Sequence, residues 1–255
     1  MKKYCYVLVS CILMTSLCSA TVVDPAATGK LAVGLDGSSV VTTGGVVTQW
    51  TDQIGNYDAT GSASLISANT GNGFHNVLSF DGTQSLRTGV FDAAFPQTNV
   101  IFIVAAYETP IEARFLVDGI NSSGRNAVYT RSNGTYAMYA GAQIINNNVV
   151  AQTGVFQVYC AIFNGTSSQL RIDGTKILGT ANVGTAALNG LAIASDYNNN
   201  QKLSGKIAEI LVYNGGLNTA QIETIEGYLQ SKYIIPEPAT LALLAIGIAA
   251  VKFKK

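Results

Sequence analysis

Val100-Ile101-Phe102-Ile103-Val104-Ala105-Ala106-Tyr107 decides the fold class. The run is apolar on both of its alternating faces, the pattern of a central strand in a β-sandwich. Downstream, Val155 to Phe163 places Phe156, Val158, Cys160 and Ile162 on one face. That spacing predicts Cys160 as a buried, inert thiol. Asn164-Gly165-Thr166 then turns into Gln169–Ile172, and Asp173-Gly174 turns again, which reads as a meander. The same punctuation recurs at Asp36-Gly37, Asp81-Gly82, Asp118-Gly119, Asn133-Gly134, Asn189-Gly190 and Asn214-Gly215. Asn and Asp tolerate left-handed backbone and Gly adopts it freely, as tight hairpins require. One helix stands out. Asn218 precedes Thr219 with Gln221 three residues on, a capping box, and Ile222, Ile225 and Leu229 make one apolar stripe. The stripe predicts a helix lying across an edge or end of the sandwich.

The chain has 255 residues, 48% apolar and 12% charged. Charge that sparse excludes disorder driven by repulsion. Fifteen basic residues balance fifteen acidic ones, but five of the lysines flank the apolar ends. Between Thr21 and Ile235 ten basic residues face fourteen acidic ones, so the basic excess of a nucleic-acid binder is missing. No composition break, fixed-period repeat or Pro-rich linker divides residues 21–235, which read as one domain.

Both ends read as addresses. Met1-Lys2-Lys3, the apolar run Tyr6–Leu17 and the small residues Cys18-Ser19-Ala20 form the three parts of a secretory signal over residues 1–20, for a signal peptidase to remove. Three of the four cysteines leave with it, so no internal disulfide forms and the core alone must hold the domain. At the other end Pro236-Glu237-Pro238 precedes the apolar stretch Ala239–Val251 and the basic end Lys252-Phe253-Lys254-Lys255. By the positive-inside rule those charges stay on the cytoplasmic side. This tripartite tail, residues 236–255, resembles the PEP-CTERM sorting signal of Gram-negative bacteria. The resemblance implies an exported, inner-membrane-anchored precursor. An exosortase-type transpeptidase would cleave it near Pro236, Glu237 and Pro238 for delivery to the cell surface or extracellular matrix.

A second resemblance rests on Leu35-Asp36, Val46-Val47-Thr48-Gln49-Trp50-Thr51-Asp52, Gly55-Asn56, Leu78-Ser79-Phe80-Asp81-Gly82 and the closing run Leu203 to Asn214. Over residues 28–233 the order of these motifs is similar to the LamG-like, concanavalin A-like modules. The chain departs at Ile54, where the family usually has Ser, and at Gly215-Gly216, where a more basic residue is usual. The resemblance implies an all-β fold: two antiparallel sheets of about a dozen strands, a jelly-roll sandwich. The one C-terminal amphipathic helix and the terminal signal and membrane helices complete the expected architecture.

Chemistry-bearing patterns are few. Enzymes on this fold need two carboxylates across a sugar bond, and none of the six glutamates forms Glu-x-Asp-x-Glu. Glu209, on a strong strand with Ile207, Leu211 and Tyr213, reads as a lone acid or, preferably, a buried carboxylate bonded to backbone or paired with Arg. Phosphate-cradling and serine-nucleophile motifs are absent, and His75, the single histidine, reads as a loop residue. The expectation is therefore not an enzyme. Calcium is a candidate cofactor, with Asp52, Asp58 and Asp196 in the oxygen-rich loops 52–58 and 195–200 as candidate ligands; solvated loops are the favoured reading of both. Asn146-Asn147-Asn148 reads as a further polar loop. For sugar binding, Tyr129, Tyr136 and Arg131 around the Asn133-Gly134 turn are candidates, with Asn198 of the 195–200 loop. Tyr136 and Tyr139 must point to opposite faces, so at most one joins any platform. The expectation is a secreted, non-catalytic surface or matrix protein that binds polysaccharide. A purely structural adhesion protein, or an atypical glycosidase, is the alternative.

Overall fold

A computed structural model describes residues 24–234. The signal segment 1–20 and the tail 236–255, with their expected helices and sorting motif, lie outside the described residues. Among those described, no helix is long and apolar enough to cross a membrane.

Fifteen strands, one α-helix and two short 3-10 turns, Pro25–Thr28 and Gly165–Ser167, make up the described body. The first five strands are Leu31–Thr43 (β1), Val46–Asp52 (β2), Ala59–Gly71 (β3), Gly73–Asp81 (β4) and Ser85–Thr88 (β5). Asn99–Tyr107 (β6), Arg114–Asp118 (β7), Ala127–Thr130 (β8), Thr135–Tyr139 (β9) and Gln143–Val150 (β10) follow. Then come Gln157–Phe163 (β11), Ser168–Ile172 (β12), Thr175–Ala181 (β13), Ala192–Ile193 (β14), Ser204–Asn214 (β15) and the helix Thr219–Tyr233 (α1). Hydrogen bonding follows one antiparallel path, β10-β9-β8-β7-β14-β5-β3-β2-β1-β15-β6-β11-β12-β13, with β4 joined to β15 and β3. The path folds over on itself: the Asn146 side-chain amide on β10 donates to the Ile177 carbonyl on β13, at the other end. Two layers result, a front layer from β5 to β10 and a back layer from β1 to β13. Leu116, Val128, Tyr136, Met138 and Ile144 of the front meet Ile101, Ile103, Tyr159, Ile210 and Val212 of the back in the main core. This is a concanavalin A-like β-sandwich.

The two-sided strand at the centre has two covers. Ile101, Ile103, Ala105 and Tyr107 enter the main core. Val100, Phe102, Val104 and Ala106 lie in a second cluster with Val158, Cys160, Leu211, Tyr213 and the helix residues Ile222, Ile225, Leu229 and Tyr233. So α1 lies on the outer face of the back layer rather than at an edge or end. The physical reason is the run itself, which leaves apolar side chains on both faces and needs burial on both. The capping box forms as expected, with Asn218 Oδ1 accepting from the Gln221 amide at 2.9 Å and Gln221 Oε1 accepting from the Asn218 amide at 3.0 Å. Cys160 is fully buried, and that burial pushes its thiol well above the ordinary range.

Three local expectations are corrected. Asp36-Gly37 does not turn the chain; it lies inside β1, at an irregularity in the pairing with β2 between Leu35 and Val40. Gly37 is required there because a Cβ would come within 2.0 Å of the Asn76 carbonyl oxygen. Asn146-Asn147-Asn148 belongs to β10, and His75 belongs to β4. Asn146 nonetheless keeps a loop-like feature, accepting from the Asn148 and Val149 amides where the pairing of β10 with β9 is interrupted, while the His75 ring packs 4.8 Å from that of Tyr233.

Candidate functional site

Among the described residues the outer face of the front layer carries no helix, and its side chains form a platform. β7, β8 and β9 direct Phe115, Ala127, Tyr129, Ala137 and Tyr139 outward as a small third cluster. Tyr129 lies flat on Phe115, with ring centres 4.3 Å apart and planes 1° from parallel. Beside them Arg125 spans two rings, its guanidinium carbon 4.5 Å from the centre of Tyr139 and 4.3 Å from that of Tyr197. Such stacking is worth about 0.5–2 kcal/mol per ring, rising as water is excluded. The guanidinium is held from beneath by Asp118, with Nε at 3.0 Å and Nη2 at 2.7 Å from Oδ2. Burial pushes the Asp118 carboxyl up, against the pull of Arg125 and of the Gly119 and Tyr197 amides. Two tyrosine rings and a fixed planar cation, each half-buried, therefore lie side by side at the surface.

Tyr197 belongs to a loop built for its shape. Ala194, Asn199 and Gln201 adopt positive φ (60°, 64° and 46°) although none is glycine. Such outliers persist only where surrounding contacts fix them and collect at functional sites. Here Asp196 Oδ1 accepts from the amides of Asn198 at 3.0 Å and Asn200 at 2.6 Å. Tyr197 is pinned at both backbone ends, its amide on Asp118 Oδ2 at 3.1 Å and its carbonyl on Arg87 at 3.1 Å.

The structure sorts the candidates from the sequence. Tyr129 lies on the platform as its floor, 8% exposed, and Asn198 stands exposed next to Tyr197. Tyr136 does not belong: it is 1% exposed in the main core, with its hydroxyl 3.4 Å from that of Tyr159. The alternation of β9 turns it inward while Tyr139 turns outward. Arg131 donates to Asn147 at 3.0 Å and ties the end of β8 to β10. Arg125, Tyr139, Tyr197 and Asp118 make the arrangement, but Tyr197 is brought in by a distant loop and carries no periodic signal in the sequence.

The carboxylates that are candidate calcium ligands accept hydrogen bonds from backbone amides. Asp52 accepts from the amides of Gly34, Ile54, Gly55 and Tyr57 at 2.8–3.2 Å, and Asp58 accepts from the Asp52 amide and Gln49. Asp196 serves its own loop. Among the described residues no group of three or more His, Cys, Asp or Glu side chains is placed to hold a metal ion.

Glu209 is neither lone nor paired with Arg. Asp36 stands opposite it across β1 and β15, and Lys232 of α1 bridges the two at 2.6 Å each. The Tyr233 hydroxyl donates to Glu209 at 2.8 Å. A bulge between Ile207 and Glu209 in the pairing of β15 with β6 turns Ile207 to the main core, so it does not share the face of Glu209. These are two neighbouring carboxylates with a cation locked between them, beside a cavity of about 170 Å³. A larger cleft of about 610 Å³ lies at the start of α1, but its Arg171 is engaged by Glu226 at 2.7 Å and its Lys30 by the Gly216 carbonyl.

Residues 93–223 match the family model for the concanavalin A-like lectin/glucanases superfamily, and residues 235–255 match the PEP-CTERM protein-sorting motif. No curated protein matches the chain. Among solved structures, domain 4 of AbnA, a GH43 extracellular arabinanase from Geobacillus stearothermophilus in complex with arabinotriose, is similar in fold. It has TM-score 0.58 and 13% identity over 77% of this chain and 98% of that one. Trypanosoma rangeli sialidase aligns with TM-score 0.57 and 15% identity over 80% of this chain, which spans 33% of the sialidase. The binding domain of Paraclostridial Mosquitocidal Protein 1 aligns with TM-score 0.56 and 12% identity over 80% of this chain and 53% of that one.

Proposed function

The chain belongs to the concanavalin A-like lectin/glucanases superfamily and carries a PEP-CTERM sorting motif, and from that premise we propose that it is a non-catalytic, polysaccharide-binding protein of the cell surface or extracellular matrix. The motif marks an exported, membrane-anchored precursor of a Gram-negative bacterium and implies an exosortase-type processing enzyme. The single observation that supports the binding reading is the row Tyr139, Arg125, Tyr197 beside the Tyr129–Phe115 stack, on a face that no described helix covers. Tyrosine rings suit the apolar faces of pyranose or furanose units, while the free edges of the guanidinium, Asn198 and Gln143 suit hydroxyls. An open face accommodates a polymer running across it rather than one enclosed sugar. The arabinanase domain, solved in complex with arabinotriose, is in keeping with an oligosaccharide on such a fold.

The non-catalytic part of the reading is supported by the state of the paired carboxylates. A glycosidase needs one carboxyl free to give a proton and another free to attack or activate water. Asp36 and Glu209 instead share a lysine beneath α1. The test is retention by affinity electrophoresis in gels holding arabinan and a panel of bacterial and algal polysaccharides. Tyr197→Ala should weaken retention about tenfold, equivalent to 1.4 kcal/mol, while lowering the melting temperature only by what the lost stack on Arg125 accounts for. No retention by any polymer would favour the structural adhesion reading. Release of reducing ends would overturn the non-catalytic one.

A further inference from the structure

The end of the described chain is fastened to one particular place. The Tyr233 carbonyl accepts from Thr70 Oγ1 at 2.6 Å and from the Asn72 amide at 2.9 Å, and Asn72 Nδ2 donates to the Ser231 carbonyl at 2.5 Å. A Cβ on Gly71 would come within 2.6 Å of the Ile234 carbonyl oxygen, so hairpin and helix end are in direct contact. Thr70, Gly71 and Asn72 form the tip between β3 and β4. The apolar stretch of the tail begins at Ala239. Five residues from Ile234 span at most about 18 Å, so a tail seated in a bilayer keeps this hairpin tip within about that distance of the bilayer surface.

The tip has the composition that such a position calls for. Phe74, two residues beyond Asn72, is 75% exposed, more than any other large apolar side chain described. From Ala59 to Phe80 the sequence contains no Asp, Glu, Lys or Arg. A neutral hairpin with a projecting aromatic ring pays little desolvation cost in the headgroup region, where aromatic residues concentrate.

We propose that the β3–β4 hairpin tip is a membrane-docking surface, and that Phe74 enters the headgroup region of the bilayer holding the tail. One ring gives weak affinity, so docking needs the tail as its second attachment and ends when the tail is cut. The experiment uses the full-length precursor in vesicles of phosphatidylethanolamine and phosphatidylglycerol with brominated acyl chains. The native Trp50 is fully buried and serves as the unquenched reference. Phe74→Trp should lose about half of its added emission to the bromines and shift it to the blue. Ile111→Trp, at a position 68% exposed in the β6–β7 connection that joins the two layers, should keep its emission. Equal quenching of the two, or none at position 74, would overturn the proposal. The same Phe74→Trp chain ending at residue 235 should show no quenching, and quenching without the tail would overturn the tail's role.

Discussion

At the scale of single residues, the molecule depends on a few positions where the backbone tolerates no substitute. Gly37 is the clearest. It sits within β1 where the Asn76 carbonyl of β4 passes over it, and an alanine there must push one strand off the other. Gly37→Ala should cost about 1–3 kcal/mol, as overpacking does, seen as a lowered denaturant midpoint with an unchanged slope. Asp36-Gly37 reads in sequence as a turn because the same dipeptide that suits a hairpin also suits a strand crossed closely by another. The two cases differ only in what lies opposite, which is a tertiary fact. Trp50 illustrates the reverse, a residue whose place was legible: it is fully buried, and its indole Nε1 donates to the Asp36 carbonyl at 2.7 Å.

At the scale of elements, α1 shows where legibility stops. Its cap and apolar stripe are local patterns, so its existence and extent could be read from residues 218–233. Its seat on the back layer could not, because that depends on which face of β6, β11 and β15 is left uncovered. The Lys232 clamp was hidden for a similar reason, since a cross-strand carboxylate pair arises only from the register of β1 against β15. The clamp makes a pH prediction. Burial opposes the charge on Lys232, but Glu209 and Asp36 outweigh it and raise its pKa above the ordinary 10.5. A cation whose pKa is higher folded than unfolded stabilises fully below the unfolded value and loses that contribution as pH rises through the folded one. The protein should therefore keep this contribution to about pH 10.5 and lose it progressively above. Lys232→Met should cost about 1–2 kcal/mol at neutral pH, given the solvent access of Asp36 and Lys232. In thermal melts from pH 8 to 12 the variant should lack this part of the alkaline decline; an identical decline in both would contradict the assignment.

At the scale of the whole molecule, one unbroken ladder of paired strands runs from β10 to β13. The main core takes residues from both layers, and α1 shares strands β6, β11 and β15 with it. Unfolding should accordingly be a single cooperative event. Trp50 fluorescence, which reports the β1–β2 region, and far-ultraviolet dichroism, which reports all strands, should give coincident transitions. Separate midpoints would show that front and back layers come apart independently. The layered plan was implied by the resemblance and by the two-sided run Val100–Tyr107, and the platform was not legible, since Arg125 and Tyr197 meet only when β7, β8 and the loop after β14 are assembled. The clamp on α1 also has a mechanical meaning. Any drag on a partner held at the ring-lined face must reach the tail through the final turn of α1. That turn is where Lys232, Tyr233 and the Thr70 and Asn72 bonds are gathered. Tension therefore meets its strongest fastening at the point of entry, and the apolar stripe behind it bears load only after those bonds have parted.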